Sequence, residues 1–220
     1  DELLDYYKPA QLRAHFLGFG LGYKSASFKP KPLNPEGENQ GDPVLQEGNL
    51  LSNVFNHAAR SCFYTVQKFN DRQLPEGEIT QEILDEAKET ILEYEKYMYR
   101  HEFHQVISLM DNYIRGINKY WSQQYNEYKQ NDEDERILMQ LFIDGFHMLR
   151  TAAVLMHPVA PEGTEKILDY LNLDDGDEEF WSWDRIFEPV TAFIDNPKEH
   201  HFKEIGSRTD FFEKHPRQYN

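Results

Sequence analysis

The apolar residues of this chain recur at three- and four-residue intervals over much of its length, which is the spacing of amphipathic α-helices. Proline and glycine mark loops between these stripes, as at residues 70–78 and at Pro158 and Pro161. No segment alternates over enough residues to indicate a strand. The pattern predicts successive helices over about 43–69, 80–99, 103–121, 137–156 and 163–173.

These elements predict an all-α fold: an up-and-down bundle of four to five helices with irregular extensions at both ends. Residues 1–42 are expected to form short helical pieces followed by a connector rich in proline and glycine. The bundle is predicted to occupy residues 43–173. Residues 174–220 are predicted to form an acidic linker and a C-terminal tail that packs on the bundle.

The net charge of −16, from 23 basic and 39 acidic residues, argues against a nucleic-acid binder when it is taken over the whole chain. The charge is uneven, however. Residues 6–35 contain basic residues and no acidic ones, whereas residues 162–188 are strongly acidic. A chain of this kind can still present a basic or neutral surface to RNA, although most such asymmetry is ordinary solvated surface.

Other features of the composition limit the protein class. No apolar run approaches the roughly 20 residues that a membrane span needs, and Cys62 stands alone, so we expect no membrane partner and a reducing, cytoplasmic location. The sequence begins at Asp1 and its first methionine is Met98. We therefore expect it to be a piece of a longer protein.

No catalytic or metal-binding signature emerges from the residues themselves. His101 and His104 lie three positions apart on a predicted helix, but no cysteines or paired carboxylates accompany them. The glycines at 18, 20 and 22 lack the lysine and the helix start of a phosphate-binding loop. We predict no catalytic residue, no metal site and no cofactor site within this chain.

Two features could bind RNA. Asn56 and Arg60 are four apart and share a helix face, where an amide and a guanidinium could read base edges. Trp121 continues an apolar stripe, but residues 122–127 turn polar at once, so we place it at a helix end with its ring half exposed. Spacing alone equally allows an ordinary polar helix face and a buried core tryptophan.

Four segments then resemble methionyl-tRNA synthetase, in the order in which that family carries them. Residues 49–60 resemble the first long helix of its anticodon domain, with an Asn-x-x-x-Arg element at Asn56 and Arg60. Residues 118–121 (Asn-Lys-Tyr-Trp) resemble the element whose tryptophan stacks on an anticodon base. Residues 149–166 resemble a late helix with its proline-bounded turn, and residues 12–17 resemble the segment that contacts the tRNA stem.

The resemblance implies an anticodon-binding helix bundle from an enzyme that joins methionine to its tRNA using ATP. It implies that Asn56, Arg60 and Trp121 contact the anticodon. Tyr120 stands where many members have proline, and it could add a second ring. Arg13 and Lys24 could touch the tRNA backbone. The implied partners are tRNA(Met) and the catalytic domain of the same chain, not DNA. ATP, Mg²⁺ and, in some members, zinc would bind in that missing part.

Two other interpretations stay open at this point. The bundle could belong to another class I synthetase, such as the leucyl, valyl or cysteinyl enzyme. The acidic surface and the many tyrosines would also suit a helical protein–protein interaction module.

Overall fold

In the computed structural model, residues 2–22, 25, 27, 28, 41–173 and 177–218 are described, and every regular element among them is helical. The prediction of an all-α fold is confirmed. The helices are α1 (Pro9–Gly18), α2 (Pro43–Asn49), a π-helical segment (Leu50–Phe55), α3 (Asn56–Phe69), α4 (Gln81–Tyr99), α5 (Phe103–Gln130), α6 (Glu135–Met156), α7 (Pro161–Leu171) and α8 (Asp177–Phe180), with short 3₁₀ turns at Glu2–Asp5, Trp183–Arg185, Val190–Phe193 and Pro216–Gln218.

Helix α6 forms the centre of the bundle. Its N-terminus is capped by Asp134, whose carboxylate accepts a hydrogen bond from the backbone N–H of Arg136 at 3.0 Å. By length and composition alone α6 could cross a membrane, but most of its residues are buried against the other helices. That environment is typical of the core helix of a soluble bundle.

Helices α3 and α5 lie side by side and run in the same direction. His57 near the start of α3 contacts Asn118, Thr65 contacts Trp121, and Phe69 at the end of α3 contacts Tyr125. Because both residue numbers rise together along the contact, the two helices are parallel. Helix α2, the π-helical segment and α3 follow one another without a break from residue 43 to residue 69.

Residues 200–218, which we call the C-terminal strap, run back along α3. The backbone N–H of Phe202 donates to the carbonyl of Arg72, just after α3 ends, at 2.9 Å. The amide of Gln67 exchanges two hydrogen bonds with the backbone of Ile205. Further on, the rings of Phe211 and Phe212 stack on the rings of Phe63 and Phe55, with centroids 5.3 and 4.5 Å apart. The strap is therefore part of the hydrophobic core, in which each buried phenylalanine contributes about 1.5–3 kcal/mol.

A buried arginine of α6, Arg150, binds the segment of chain that runs from α8 to the strap. Arg150 is 1% exposed, and its guanidinium donates to the carbonyls of Phe180 and Arg185. The same group lies 4.2 Å from the ring centroid of Phe193. Burial lowers the pKa of Arg150 to about 10, which still leaves it charged at neutral pH.

Candidate nucleic-acid interface

Asn56, predicted to read a base, is fully buried. Its side-chain oxygen accepts hydrogen bonds from the backbone N–H groups of Phe211 and Phe212, both at 2.9 Å. Its Nδ2 donates to the carbonyls of Ser52 and Phe212 and lies 3.3 Å from a carboxylate oxygen of Asp210. The prediction that Asn56 faces RNA is wrong, because its donors and acceptors already serve the strap.

Arg60 is partly exposed and also faces the strap. Its Nε donates to the carbonyl of Asn56 at 3.3 Å, and its Nη2 lies 3.4 Å from a carboxylate oxygen of Asp210. The side chain is 37% exposed. The charge of Arg60 is thus partly offset by a carboxylate, and an RNA phosphate would have to compete with Asp210 for it.

Tyr120, which could add a second ring by analogy with the family, binds a buried carboxylate through its hydroxyl. Its hydroxyl donates to Asp144 at 2.7 Å, and this fully buried carboxylate also accepts from the backbone N–H and the hydroxyl of Thr80 and from Gln140. Burial, followed by the hydrogen bond to Asp144, raises the pKa of Tyr120. Tyr120 therefore fixes α5 to the start of α4 and to α6.

Trp121 is half-buried in the groove between α3 and α5. Its indole N–H donates to the hydroxyl of Thr65 at 3.0 Å, and its ring stacks on Tyr125 with centroids 5.0 Å apart and planes at 12°. Helix α5 continues to Gln130, so the prediction that Trp121 ends a helix is wrong. The polar residues after it are the exposed turns of a continuing helix, and the second ring beside Trp121 is Tyr125.

The structure does not bring Asn56 and Trp121 to one surface. Asn56 faces the strap, whereas Trp121 attaches to α3 through Thr65. Asn56 and Thr65 are nine positions apart on α3, or about two and a half helical turns, so they lie on opposite faces of the helix. Asn56 and Trp121 therefore do not form one surface, as the implied contact of both residues with the anticodon would require.

A different set of polar side chains lies on the helical stretch that packs against α5 and on the turn of α5 before Trp121. Asn53 and His57 are exposed, one turn apart at the junction of the π-helical segment and α3. A ring nitrogen of His57 lies 2.6 Å from the amide oxygen of Asn118, one turn before Trp121 on α5. Asn118 also donates to the carbonyl of Val54 at 3.0 Å, which fixes its orientation. We call Asn53, His57, Asn118 and Trp121 the Trp121 face.

The spacing of three polar residues in the sequence is a signal for this face. Asn49, Asn53 and His57 are spaced four apart, which aligns polar groups along one edge. The side chain of Asn53 hydrogen-bonds to that of Asn49, so the edge is continuous in the structure. A π-helical segment is also common at functional sites.

The two stretches of chain that carry this face contain no acidic residues, although the whole chain is strongly acidic. Residues 48–70 and 112–126 contain no Asp or Glu, although an even distribution of the 39 acidic residues over 220 positions would place about seven there. Both stretches meet at the contact between α3 and α5. Their basic residues are Arg60, Lys68, Arg115 and Lys119. Arg60 pairs with Asp210 of the strap and Arg115 pairs with Asp111, but the two stretches themselves repel a polyanion less than the acidic stretches of the chain do.

Arg13 and Lys24, the residues predicted to touch the tRNA backbone, add little to the evidence for an RNA-binding surface. The Nε of Arg13 donates to the carbonyl of Val159 at 2.6 Å, which ties the side chain to the turn after α6. Lys24 lies outside the described residues, as do Lys29 and Lys31 of the basic stretch 6–35. Within the described ranges, no three side chains of His, Cys, Asp or Glu gather as metal ligands, so neither zinc nor Mg²⁺ is assigned here.

Known proteins similar to this chain include methionyl-tRNA synthetases from two organisms. The chain is 26% identical, over 150 residues or 68% of its length, to a methionine–tRNA ligase of Methanopyrus kandleri. It superposes on methionyl-tRNA synthetase of Mycobacterium tuberculosis in the apo form, with a TM-score of 0.65, 20% identity and 94% of this chain covered. The same enzyme with methionyl-adenylate gives a TM-score of 0.60 at 21% identity over 77% of this chain. Both comparisons point to methionyl-tRNA synthetase.

The match covers only part of those synthetases. The chain spans 22% of the Methanopyrus ligase and 32–39% of the Mycobacterium structures. No protein-family model matches it. At these identities, the solved synthetase structures establish a shared fold.

Proposed function

We propose that this chain is the anticodon-binding helical part of a methionine–tRNA ligase. It would select tRNA(Met) for an enzyme that joins methionine to that tRNA using ATP. The catalytic residues and the sites for ATP and Mg²⁺ would belong to parts of the enzyme outside this sequence. The sequence and structural relatives support this origin, because all of those compared above are methionyl-tRNA synthetases. The buried, unpaired Cys62 suits the reducing cytoplasm in which such an enzyme would act.

The observation that carries the proposal is the Trp121 face. Half-buried Trp121 and, one turn earlier on α5, Asn118 pack against the helical stretch that carries the exposed residues Asn53 and His57, in the part of the chain that lacks acidic residues. Unpaired RNA bases bind by stacking on aromatic rings and by hydrogen bonds along their edges. Trp121 would supply the stacking surface, Asn53 and His57 would supply donors and acceptors, and Asn118 would orient the ring of His57.

The hydrogen bonds within the face prepare it for this role. The indole of Trp121 is held by Thr65 and Tyr125, and Asn118 is held by Val54, so these groups lose little freedom when a base binds. Tyr120, anchored on Asp144, fixes the backbone immediately before Trp121. The proposal thus retains Trp121 as the stacking residue and assigns Tyr120 to its support.

The test is a binding titration of the whole chain with a 17-nucleotide RNA stem-loop carrying a CAU anticodon, read by fluorescence anisotropy at 50 mM salt. Trp121→Leu keeps an apolar side chain in the groove but removes the aromatic surface. Loss of one stacked base is worth about 1–3 kcal/mol, so affinity should fall roughly 5- to 150-fold. Asn53→Ala should weaken binding by a smaller factor, because one exposed amide is lost.

Two controls separate binding from folding. Circular dichroism should show that Trp121→Leu and Asn53→Ala keep the helical content of the parent chain. A stem-loop in which CAU is replaced by GUA should bind more weakly to the parent chain. Equal affinity for the two stem-loops, or full CAU binding by folded Trp121→Leu, would refute the assignment.

A further inference from the structure

Beyond Trp121, the groove between α3 and α5 continues as a row of aromatic rings. The ring centroid of Tyr125 lies 6.0 Å from that of Tyr128 and 6.1 Å from that of Phe69. Tyr125 is half-buried, Tyr128 is buried and Phe69 is half-buried. The row begins at the stacked pair Trp121–Tyr125 and extends toward the C-terminal ends of both helices.

Two exposed lysines lie against this row. The Nζ of Lys129 is 5.8 Å from the ring centroid of Tyr125 and 5.2 Å from that of Tyr128. The Nζ of Lys68, on α3, is 4.8 Å from the centroid of Phe69. These cation–π contacts hold both ammonium groups beside the rings. Rings flanked by fixed positive charges are the arrangement that binds single-stranded nucleic acid.

Acidic residues also lie near the row, and they would oppose the binding of a phosphate. Their removal therefore offers a test of the site. Lys129 forms an ion pair with Glu133, one turn later on the chain, and both side chains are largely open to solvent at 44% and 58% exposure. Glu127 is also exposed on α5. A phosphate approaching Lys129 must therefore compete with Glu133.

Resting on the proposed function, we infer that the RNA-binding surface continues past Trp121 as a strip made of Lys68, Tyr125 and Lys129, which holds the nucleotide adjoining the anticodon. Tyr125 follows Trp121 by four residues, a rise of about 6 Å along α5, which a neighbouring nucleotide of the same loop can span. Tyr125 would contact its base or sugar, and the two lysines would bind its phosphates without reading sequence.

The test uses the CAU stem-loop and charge variants of the whole chain. Lys68→Ala and Lys129→Ala should each weaken binding roughly three- to tenfold at 50 mM salt, by the same factor for CAU and GUA loops. Each should also reduce the slope of log affinity against log salt by about 0.7, the value for one phosphate contact on a single strand. Glu133→Gln should strengthen binding, because it releases Lys129 from its carboxylate. An improvement in affinity cannot arise from misfolding.

A matched control lies on α4, which packs chiefly against α5 and α6. Lys96 pairs with Glu93 at 2.9 Å and lies 5.5 Å from the ring centroid of Tyr97, so it combines an exposed carboxylate and a tyrosine ring as Lys129 does with Glu133 and Tyr128. Lys96→Ala and Glu93→Gln should leave binding unchanged. If these variants change affinity as much as the strip variants do, the lysine effects report net charge and the inference is wrong.

The role of Tyr125 is tested by a double-mutant cycle with the RNA. An abasic site replaces the nucleotide on one side of the anticodon and then on the other. Tyr125→Leu should lose most of its effect when the nucleotide that it contacts is abasic. If CAU binding depends on Trp121 but not on Lys68, Lys129 or Tyr125, the strip is refuted and the proposed function stands. If the parent chain fails to bind the CAU loop, the proposed function itself fails.

Discussion

Replacement of Asn56 by alanine should destabilise the fold, because Asn56 joins α3 to the C-terminal strap. The substitution leaves the buried N–H groups of Phe211 and Phe212 and the carbonyl of Phe212 without their side-chain partner. Each unsatisfied buried group costs about 1–3 kcal/mol. The loss is limited because the strap can detach, which sacrifices the burial of two phenylalanines at about 1.5–3 kcal/mol each. We expect a loss of about 3–5 kcal/mol in the free energy of unfolding.

Urea denaturation followed by circular dichroism measures this loss directly. For a domain whose total stability is about 5–15 kcal/mol, such a change moves the midpoint by roughly 1–2 M. Native-state hydrogen exchange should show the amides of Phe211 and Phe212 losing protection before those of α6. Asn53→Ala is the matched control: it removes an exposed amide one turn earlier and should change stability by less than about 0.5 kcal/mol.

Asn53→Ala and Asn56→Ala should have opposite effects on RNA binding and on stability. Asn53→Ala should weaken RNA binding at unchanged stability, whereas Asn56→Ala should lower stability and weaken RNA binding only as far as the chain unfolds. If Asn56→Ala lowers the free energy of unfolding by less than about 1 kcal/mol and abolishes binding to the CAU loop, then Asn56 contacts RNA and its bonds to the strap do not stabilise the fold.

Three further predictions follow from buried groups. Burial lowers the pKa of His147 from 6.5 to about 4, so between these pH values the unfolded chain binds a proton that the folded chain does not. The free energy of unfolding should therefore fall by about 2 kcal/mol between pH 7.5 and pH 5. Urea unfolding of His147→Gln should depend less on pH. Asp144→Ala should cost about 3 kcal/mol or more, because Thr80 and Tyr120 lose their shared acceptor, and an unchanged melting temperature would contradict this. Burial raises the pKa of Cys62 to about 12, so Ellman's reagent should label it only in denaturant, and rapid labelling of the native chain would show that the thiol is open.

The helices were predictable because their apolar periodicity is local. The stripe from residue 137 to residue 156 corresponds closely to α6, and the loop at 70–78 separates α3 from α4 as its proline and glycine indicated. The end of α5 was not predictable in the same way. A polar run after Trp121 can be a loop or the exposed turns of a helix, and the choice depends on Tyr125 and Tyr128 packing against Phe69.

The role of Asn56 was not predictable because its partners lie about 155 residues away in sequence. An asparagine on a helix face can bind RNA or another part of the chain, and helix spacing does not separate these outcomes. The strap did carry a weak signal, since Phe202, Ile205, Phe211 and Phe212 are strongly apolar for a polar tail. Such residues indicate that a tail packs somewhere, without indicating which polar group it covers.

Because the C-terminal strap is translated after α8 and packs on α3, the core of the bundle can be completed only after the strap has been made. Asn56 takes its partners from residues 210–212, and Gln11 on α1 exchanges hydrogen bonds with Gln218. While the ribosome is still translating the helices, the strap-facing edge of α3 has nothing to cover it, and the rings of Phe55 and Phe63 must wait for Phe212 and Phe211. Cotranslational folding can form individual helices but cannot complete this core until the strap has left the exit tunnel. A nascent chain arrested before residue 210 should therefore be a substrate for chaperones that bind exposed aromatic surface.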